Sequence, residues 1–536
     1  MNKIFKSILC VLLVATFCLS AMVGCKKRTD EGAETTAAAE TQAAGGAQTN
    51  APDVEPEETV NDADTLGEYD FGGARFNILV GSPTLYEWDS DNATKQATVN
   101  NAVYTRNEQV KSRFNVELSW DEVGSWWPTN NDMTKNPWYA KYQTVVQSGW
   151  SEYQMATTRF DVTQCASVQG WCMDLSTLEE MDPMKEWWAE EYYTQCNIKG
   201  KYWVAIGDIN YSMYENFFVF FLNETLAAEV LTDEAGEPVD LYEMVRDGEW
   251  TWEKLKTYCK LINDVGVAEA DKRFTLISAR GAVRAFGSAF ELDYAESAEK
   301  NGYLIYSFPQ NSPERTVTIL DSMGDFFKGE AVNSTELDTT DATKNSVFSE
   351  GRALFMMGRL GEITGIAESM ATGMEYGILP YPKYDTDQLD YHTAIFGGAS
   401  CVTVPRNVEN TEMTAVIIEA LCMYSYQEIR PAYLDTVLAG RYLSDTDLND
   451  MMNTIRATAT VTFFEAYGAA MGTPHVGSCT DSIIADRAST SKYGTYYANC
   501  QPSYAANLAK VYKAYGVVTR QKPLTKSLSP FSDGEK

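Results

Sequence analysis

The alternation of strand-like and helix-like segments along this chain predicts an α/β protein. Two observations lead to it. The stretch "GARFNILVGS" is an apolar run behind a glycine pair, "ATVNNAVYTRNEQVKSRF" then repeats apolar residues at helical spacing, and "NVEL" returns to alternation. The same helical spacing recurs far downstream in "TEMTAVIIEALCMYS" and "YAANLAKVYKAYG". With 44% hydrophobic and 12% aromatic residues, the chain can build two domains with substantial cores. No internal repeat is visible.

In chain order, the first element stands outside the fold. Lys3 and Lys6 precede an apolar run from Ile8 to Met22, which has the length and polarity of an export-signal core and is too short for a bilayer span. "MVGC" resembles the lipobox of bacterial lipoprotein signals, although Met22 stands where leucine is commonest. That resemblance implies removal of residues 1–24 and lipidation of Cys25; an ordinary secretory signal with an incidental cysteine is the alternative. Residues 25–66 are rich in Ala, Thr, Glu, Gly and Pro, with almost no large apolar side chain to offset the entropy of ordering them. They read as a tether with a root-mean-square reach of roughly 30 to 40 Å.

The body follows. Gly72-Gly73 marks a turn, and Phe76, Ile78 and Val80 a buried strand. Val99, Val103, Val110 and Phe114 form one helical stripe before the strand at Val116 and Leu118. "EYQMATTRFDV" and "GKYWVAIGD" read as further short strands. Thr251 is of the N-cap type, with Trp252, Leu255, Tyr258 and Ile262 on one face, so Trp250 and Trp252 are assigned to the core. Met413, Val416, Ile417, Ala420, Leu421 and Tyr424 share another helical face, as do Leu508, Val511, Tyr512 and Tyr515 ahead of a stop at Gly516.

The formal charge of −32 becomes −34 once the signal and its two lysines leave, which makes nucleic acid and anionic polymers poor partners. Eight cysteines lie between Cys165 and Cys500, with no CxxC pair for zinc or redox chemistry, and their pairing cannot be read from sequence. His392 and His475 are the only histidines, without HExxH spacing, which argues against histidine catalysis and a zinc centre. Phosphate loops, dinucleotide fingerprints and a GxSxG elbow are absent from the sequence. No cofactor is expected.

"VNNAVYTRNEQVKSRFNVEL", "LYEMVRDGEWTWEKL", "FSEGRALFMMG" and "YGILPYPKYDTDQLDYHT" resemble, in that order, the extracellular solute-binding proteins of family 1. These are the carbohydrate-type receptors of ABC importers, here in the long form common among clostridial lipoproteins. The resemblance spans about 67–536. It implies a two-lobe periplasmic-binding-protein-like fold, with hinge crossings and an interlobe ligand cleft. The first crossing would fall near Tyr211 to Phe218 and the second near Tyr391 to Gly398. Lobe one would comprise 67–213 and 397–445, and lobe two 214–396 and 446–536.

In that architecture, ligand groups lie at the carboxyl ends of strands and on the facing lobe. Glu87 and Trp88 then supply a carboxylate beside a flat apolar face, a pairing suited to sugar stacking and hydroxyl recognition; loop packing is the other reading of Trp88. Arg159 and Asp161 fall where relatives bind hydroxyls, unless they form a surface ion pair. Asp208, Tyr211 and Glu215 stand at the first crossing. Arg359 replaces an aromatic found in some maltodextrin-type relatives, which favours a polar contact or a more oxidised or acidic sugar there. Phe396 would meet ligand at the second crossing, with Gly397 and Gly398 as hinge residues or simply as a tight turn.

The function so implied is a monomeric, lipid-anchored receptor on the outer face of the cytoplasmic membrane. It would capture a sugar or oligosaccharide and deliver it to ABC permease subunits. An anchored receptor or adhesin on the same fold, and a glycoside hydrolase with two opposed carboxylates, are the rivals.

Overall fold

The computed structural model describes residues 64, 66–91, 97–128, 132–232, 236–300, 303–438, 445–471 and 478–517. Cys25, the signal segment and nearly all of the tether lie outside them. The described residues belong to one unit, 61–536.

The first half builds β1 (Ala74–Ser82), β2 (Val116–Gly124) and β3 (Met155–Arg159). In β1, Phe76, Ile78, Leu79 and Val80 are all fully buried, the continuous apolar pattern of a strand covered on both faces. The turn before it uses Gly72 and Gly73 at φ 63° and 78°, where a side chain would be strained. Helix 97–114 buries Val99, Val103, Val110 and Phe114. Helix 137–147 opens with Pro137 behind Asn136, whose side chain caps the Tyr139 N–H.

The middle of the chain adds β4 (Phe218–Asn223), β5 (Phe274–Ala279), the hairpin β6 (Glu296–Lys300) and β7 (Tyr303–Ser307), β8 (Thr335–Thr339), β9 (Ala353–Arg359) and β10 (Tyr376–Leu379). Then come β11 (Thr393–Ala394), β12 (Ser400–Thr403) and, much later, β13 (Ala459–Thr460).

Two main sheets result, in the orders β12-β3-β1-β2 and β10-β4-β9-β5-β8. Each has parallel strands at its centre and an antiparallel strand toward one edge. They are the sheets of two α/β lobes. In the second, Trp250 donates to the Pro380 carbonyl at 2.9 Å, and Trp252 packs among Phe286, Phe290, Phe326 and Phe327. Both tryptophans are core residues.

The stretch read as a strand at "GKYWVAIGD" instead makes isolated bridges, Ile198 with Lys201 and Ala205 with Val402. It makes one backbone bridge to the edge strand β12, beside a bond from the Thr403 hydroxyl to the Trp203 carbonyl at 2.8 Å, and a tight turn at Lys199 and Gly200 precedes it.

Three segments join the sheets. The chain leaves the first after Ala205 and enters the second at Phe218; it returns between β10 and β12; and it crosses again toward β13. The crossings lie side by side. Phe217 bridges Ile395, the Phe396 N–H donates to the Asn216 carbonyl at 2.9 Å, and the Ile395 N–H donates to the Thr460 carbonyl at 3.1 Å.

Beyond β13, helix 463–471 packs on helix 160–167 of the first lobe, and helix 493–514 packs on helix 314–328 of the second. Tyr515 stacks on Trp203 at 3.7 Å. The C-terminal stretch expected to belong to lobe two thus touches both lobes. All eight cysteines from Cys165 to Cys500 are buried free thiols. No helix among the described residues is long and apolar enough to cross a membrane.

Candidate ligand site between the lobes

Because β1, β2 and β3 are parallel, their carboxyl ends open on one edge of the first sheet. Three loops emerge there: the turn after Ser82, the loop after Gly124 and the start of the helix after Arg159. In the second sheet, β9 delivers Arg359 at its carboxyl end, opposite Phe218 at the start of β4.

Five of the expected residues form a half-exposed layer at this junction. Arg159 donates from Nε and Nη2 to the two oxygens of Asp161, at 3.0 and 2.6 Å. Burial pushes the Asp161 carboxyl above its usual range, and the guanidinium opposes that shift. The Asp161 N–H donates to the Gly397 carbonyl at 3.1 Å, which places the pair against the second crossing. One residue further back, the Phe396 ring takes the Arg359 guanidinium over its face, 5.3 Å from the centroid, and meets Phe218 edge-on at 6.0 Å. Arg359 also donates to Glu362 at 3.2 Å. Glu215 accepts from the Tyr86 hydroxyl at 2.7 Å and lies against Gly361, where an added Cβ would stand only 2.9 Å from the Glu215 Cβ.

The other four lie beneath that layer. The short turn Thr84–Glu87 folds back, so the Glu87 carboxylate accepts from the Ser212 N–H at 2.8 Å and from the Ser400 hydroxyl. It thereby ties β1, the first crossing and β12 together. Burial pushes Glu87 up to about 7. Trp88 is 1% exposed, with the Arg106 guanidinium 5.1 Å from its ring centroid. Arg106 is buried too, pushed down to about 10, and donates to the Glu87 carbonyl, Asn107 and Ser425. The stacking role expected of Trp88 therefore does not fit this arrangement, since its ring is covered by protein.

Tyr211 is likewise buried, with its ring 5.4 Å from Tyr86. Asp208 accepts from the Tyr214 hydroxyl and faces Arg456 at 3.3 Å and Arg430 at 3.7 Å. Burial raises its carboxyl while Arg456 and Tyr214 hold it down. It joins lobe-one backbone to the third crossing rather than facing open space.

Trp126 is the residue the sequence reading passed over. It follows β2, stands on the same strand edge as Arg159, and is 54% exposed. The Asn136 side chain holds its carbonyl at 2.8 Å, which fixes the loop, and the indole lies over Gly124, where an added Cβ would meet the ring at 2.6 Å. The signal was present in "VGSWWPT": two tryptophans and a proline directly after an alternating strand. Among the described residues, no cluster of His, Cys, Asp and Glu could hold a metal ion.

Residues 138–430 match the family of bacterial extracellular solute-binding proteins, and the chain belongs to that family. No curated protein sequence matches it. Among solved structures, it is similar to a cyclo/maltodextrin-binding protein complexed with maltotetraose, at 11% identity and TM-score 0.48, over 84% of this chain and 98% of the other. An ABC transporter solute-binding protein from Agrobacterium radiobacter K84 in complex with ribitol gives 13% identity and TM-score 0.45, over 83% and 99%. An ABC substrate-binding protein from Listeria monocytogenes in complex with cycloalternan gives 12% and 0.45, over 83% and 100%.

Proposed function

We propose that the protein is the capture component of an ABC importer and takes a neutral or weakly charged carbohydrate between its lobes. One observation carries the reading: an exposed indole, Trp126, shares a strand edge with the charged pair Arg159–Asp161. A sugar offers C–H faces to an aromatic ring and hydroxyls to a carboxylate and a guanidinium, and this edge presents both kinds of partner. Arg359 and Phe396 complete it from the crossing and the second lobe.

Binding to both lobes favours the closed population, because only there are all contacts made at once. Closure, and not bond cleavage, is the output; the permease reads it. Cys25 supplies the lipid anchor and 26–66 the tether that lets a monomeric body reach the transporter.

The experiment is a thermal-shift screen of mono- and oligosaccharides, followed by calorimetry and product analysis on each hit. Stabilisation with the sugar recovered intact supports the proposal. Turnover of the sugar, or stabilisation by amino acids or peptides alone, overturns it. Retention of Cys25→Ser in host membranes, with fatty-acid labelling, refutes the anchor separately.

A further inference from the structure

Lys344 lies on helix 341–349 of the second lobe with its side chain 1% exposed, and the ligand site described above makes no direct use of it. Burying an ammonium is costly unless its donors are met. Here three side-chain oxygens surround Nζ: Glu362 Oε2, Asn345 Oδ1 at 3.0 Å and Asp341 Oδ1 at 3.3 Å. A lysine has three donors, so the group is saturated.

Glu362 is thereby fixed from behind. Its side chain is 10% exposed and packs against the β9 backbone at Gly358, where an added Cβ would stand 2.8 Å from Oε2. The other oxygen, Oε1, accepts from the Arg359 N–H and from Arg359 Nε, both at 3.2 Å. Arg359 is thus held along one edge by Glu362, with Asp341 3.7 Å from Nη2, and over one face by Phe396. Nη1 has no hydrogen-bond partner among the described residues, and the side chain is 34% exposed.

Arg159 is matched by Asp161, Arg359 by Glu362, and Lys344 by Glu362 and Asp341. Glu215 adds a carboxylate whose partner is a tyrosine hydroxyl. The cations of the site, Arg159, Arg359 and Lys344, are therefore outnumbered by Asp161, Glu215, Asp341 and Glu362. A ligand carboxylate approaching Arg359 would meet a guanidinium that is already neutralised, with two fixed carboxylates beside it. A sugar hydroxyl or ring oxygen needs only the free donor.

We propose that Glu362, clamped by the positioning residue Lys344, is a specificity-determining residue: it makes Arg359 a donor to neutral sugars and turns away sugars that carry a carboxylate. Taken alone, the Arg359 guanidinium would suit an acidic sugar; its carboxylate partner reverses that preference. The inference rests on reading the protein as a carbohydrate receptor with Arg359 at its ligand site, and it narrows the substrate class. Specificity of this kind comes from the repulsive element as much as from the attractive one.

The test is calorimetry with glucose against glucuronate and maltotriose against trigalacturonate, on wild type, Glu362→Gln, Arg359→Met and the double variant. Gln keeps an amide oxygen on Arg359 and removes only the charge, so the ratio of neutral to acidic affinity is expected to move toward the acidic probe by about tenfold. That ratio is insensitive to a general loss of folding, because both probes meet the same folded fraction. In the Arg359→Met background the shift is expected to vanish, since the two residues act through one contact. Both results together support the proposal. If the ratio in Glu362→Gln equals that of wild type, or shifts as much without Arg359, or if acidic probes bind wild type at least as tightly as neutral ones, this inference fails and carbohydrate capture stands. If no probe binds wild type at millimolar concentration, both fail.

Discussion

Arg159 and Asp161 close a two-point ion pair on each other at the carboxyl end of β3, the guanidinium spanning both carboxylate oxygens. Neither group is sealed: their side chains are 23% and 18% exposed, so each keeps a face for a ligand. Such a pair holds a donor and an acceptor in fixed geometry before any ligand arrives, which reduces the ordering that binding must offset. Asp161→Asn keeps the shape and removes the charge. It is expected to weaken carbohydrate binding about tenfold by calorimetry, with a melting temperature within a few degrees of wild type. A severe loss of melting temperature with affinity intact would reassign the pair to structure.

The two tryptophans of the first lobe make opposite predictions. Trp126→Ala removes an exposed indole, and is expected to leave melting unchanged while weakening binding by about 1 to 3 kcal/mol. Trp88→Ala empties a buried site beneath Arg106 and is expected to cost about 3 to 5 kcal/mol of stability. Denaturant unfolding and calorimetry on both variants separate these roles. A stable Trp88→Ala protein that has lost only binding would restore Trp88 as the platform.

The contrast also shows what the sequence could and could not reveal. Strand β1 and helices 97–114 and 411–424 were legible because burial on two faces, or on one stripe, writes itself into local pattern. Trp88 was not. Whether six residues past a strand end point outward or tuck in depends on partners far along the chain, here Ser212 and Ser400, 125 and 313 residues from Glu87. No local pattern encodes that. Trp126 was legible in principle, since a strand ending before "SWWPT" in a parallel sheet places that loop on the ligand edge.

Asp208 carries a further expectation. Its buried carboxylate faces Arg430 and Arg456, whose side chains are 22% and 24% exposed. Asp208→Asn would leave two guanidinium groups facing a neutral amide. Breaking a fully buried pair costs about 3 to 5 kcal/mol, and partial hydration of both arginines reduces that to roughly 2. Thermal unfolding reads the cost directly. Because Arg456 leads into β13, the variant should also slow ligand-driven closure in stopped-flow fluorescence. Wild-type stability and closure rate together would remove Asp208 from any joint between the lobes.

Glu87 and Glu419 contribute to the pH dependence, together with Glu465, which burial likewise pushes up to about 7. Glu419 accepts from the indoles of Trp187 and Trp188 at 2.7 and 3.0 Å, and burial pushes both carboxyls from the ordinary 4.5 up to about 7. A carboxyl whose folded pKa is raised binds its proton more tightly folded than unfolded, so its contribution is full below 4.5 and is lost as pH rises toward 7. Each such group withdraws up to about 3 kcal/mol over that window. The exposed Asp70, Asp132 and Asp264 act in the opposite sense. Hydrogen bonds lower their pKa values, and they lose their contribution only below about pH 4. The net charge of −32 also falls in magnitude on acidification, which relieves self-repulsion in the same direction as the buried carboxyls. Melting temperature measured from pH 4 to 8 is therefore expected to peak near about pH 5 and to decline toward 8. Glu87→Gln and Glu419→Gln remove a titrating group each and should flatten that decline, the double variant more than either alone. A melting temperature that climbs steadily from pH 5 to 8 would show that both carboxylates are ionised and fully compensated in the folded protein.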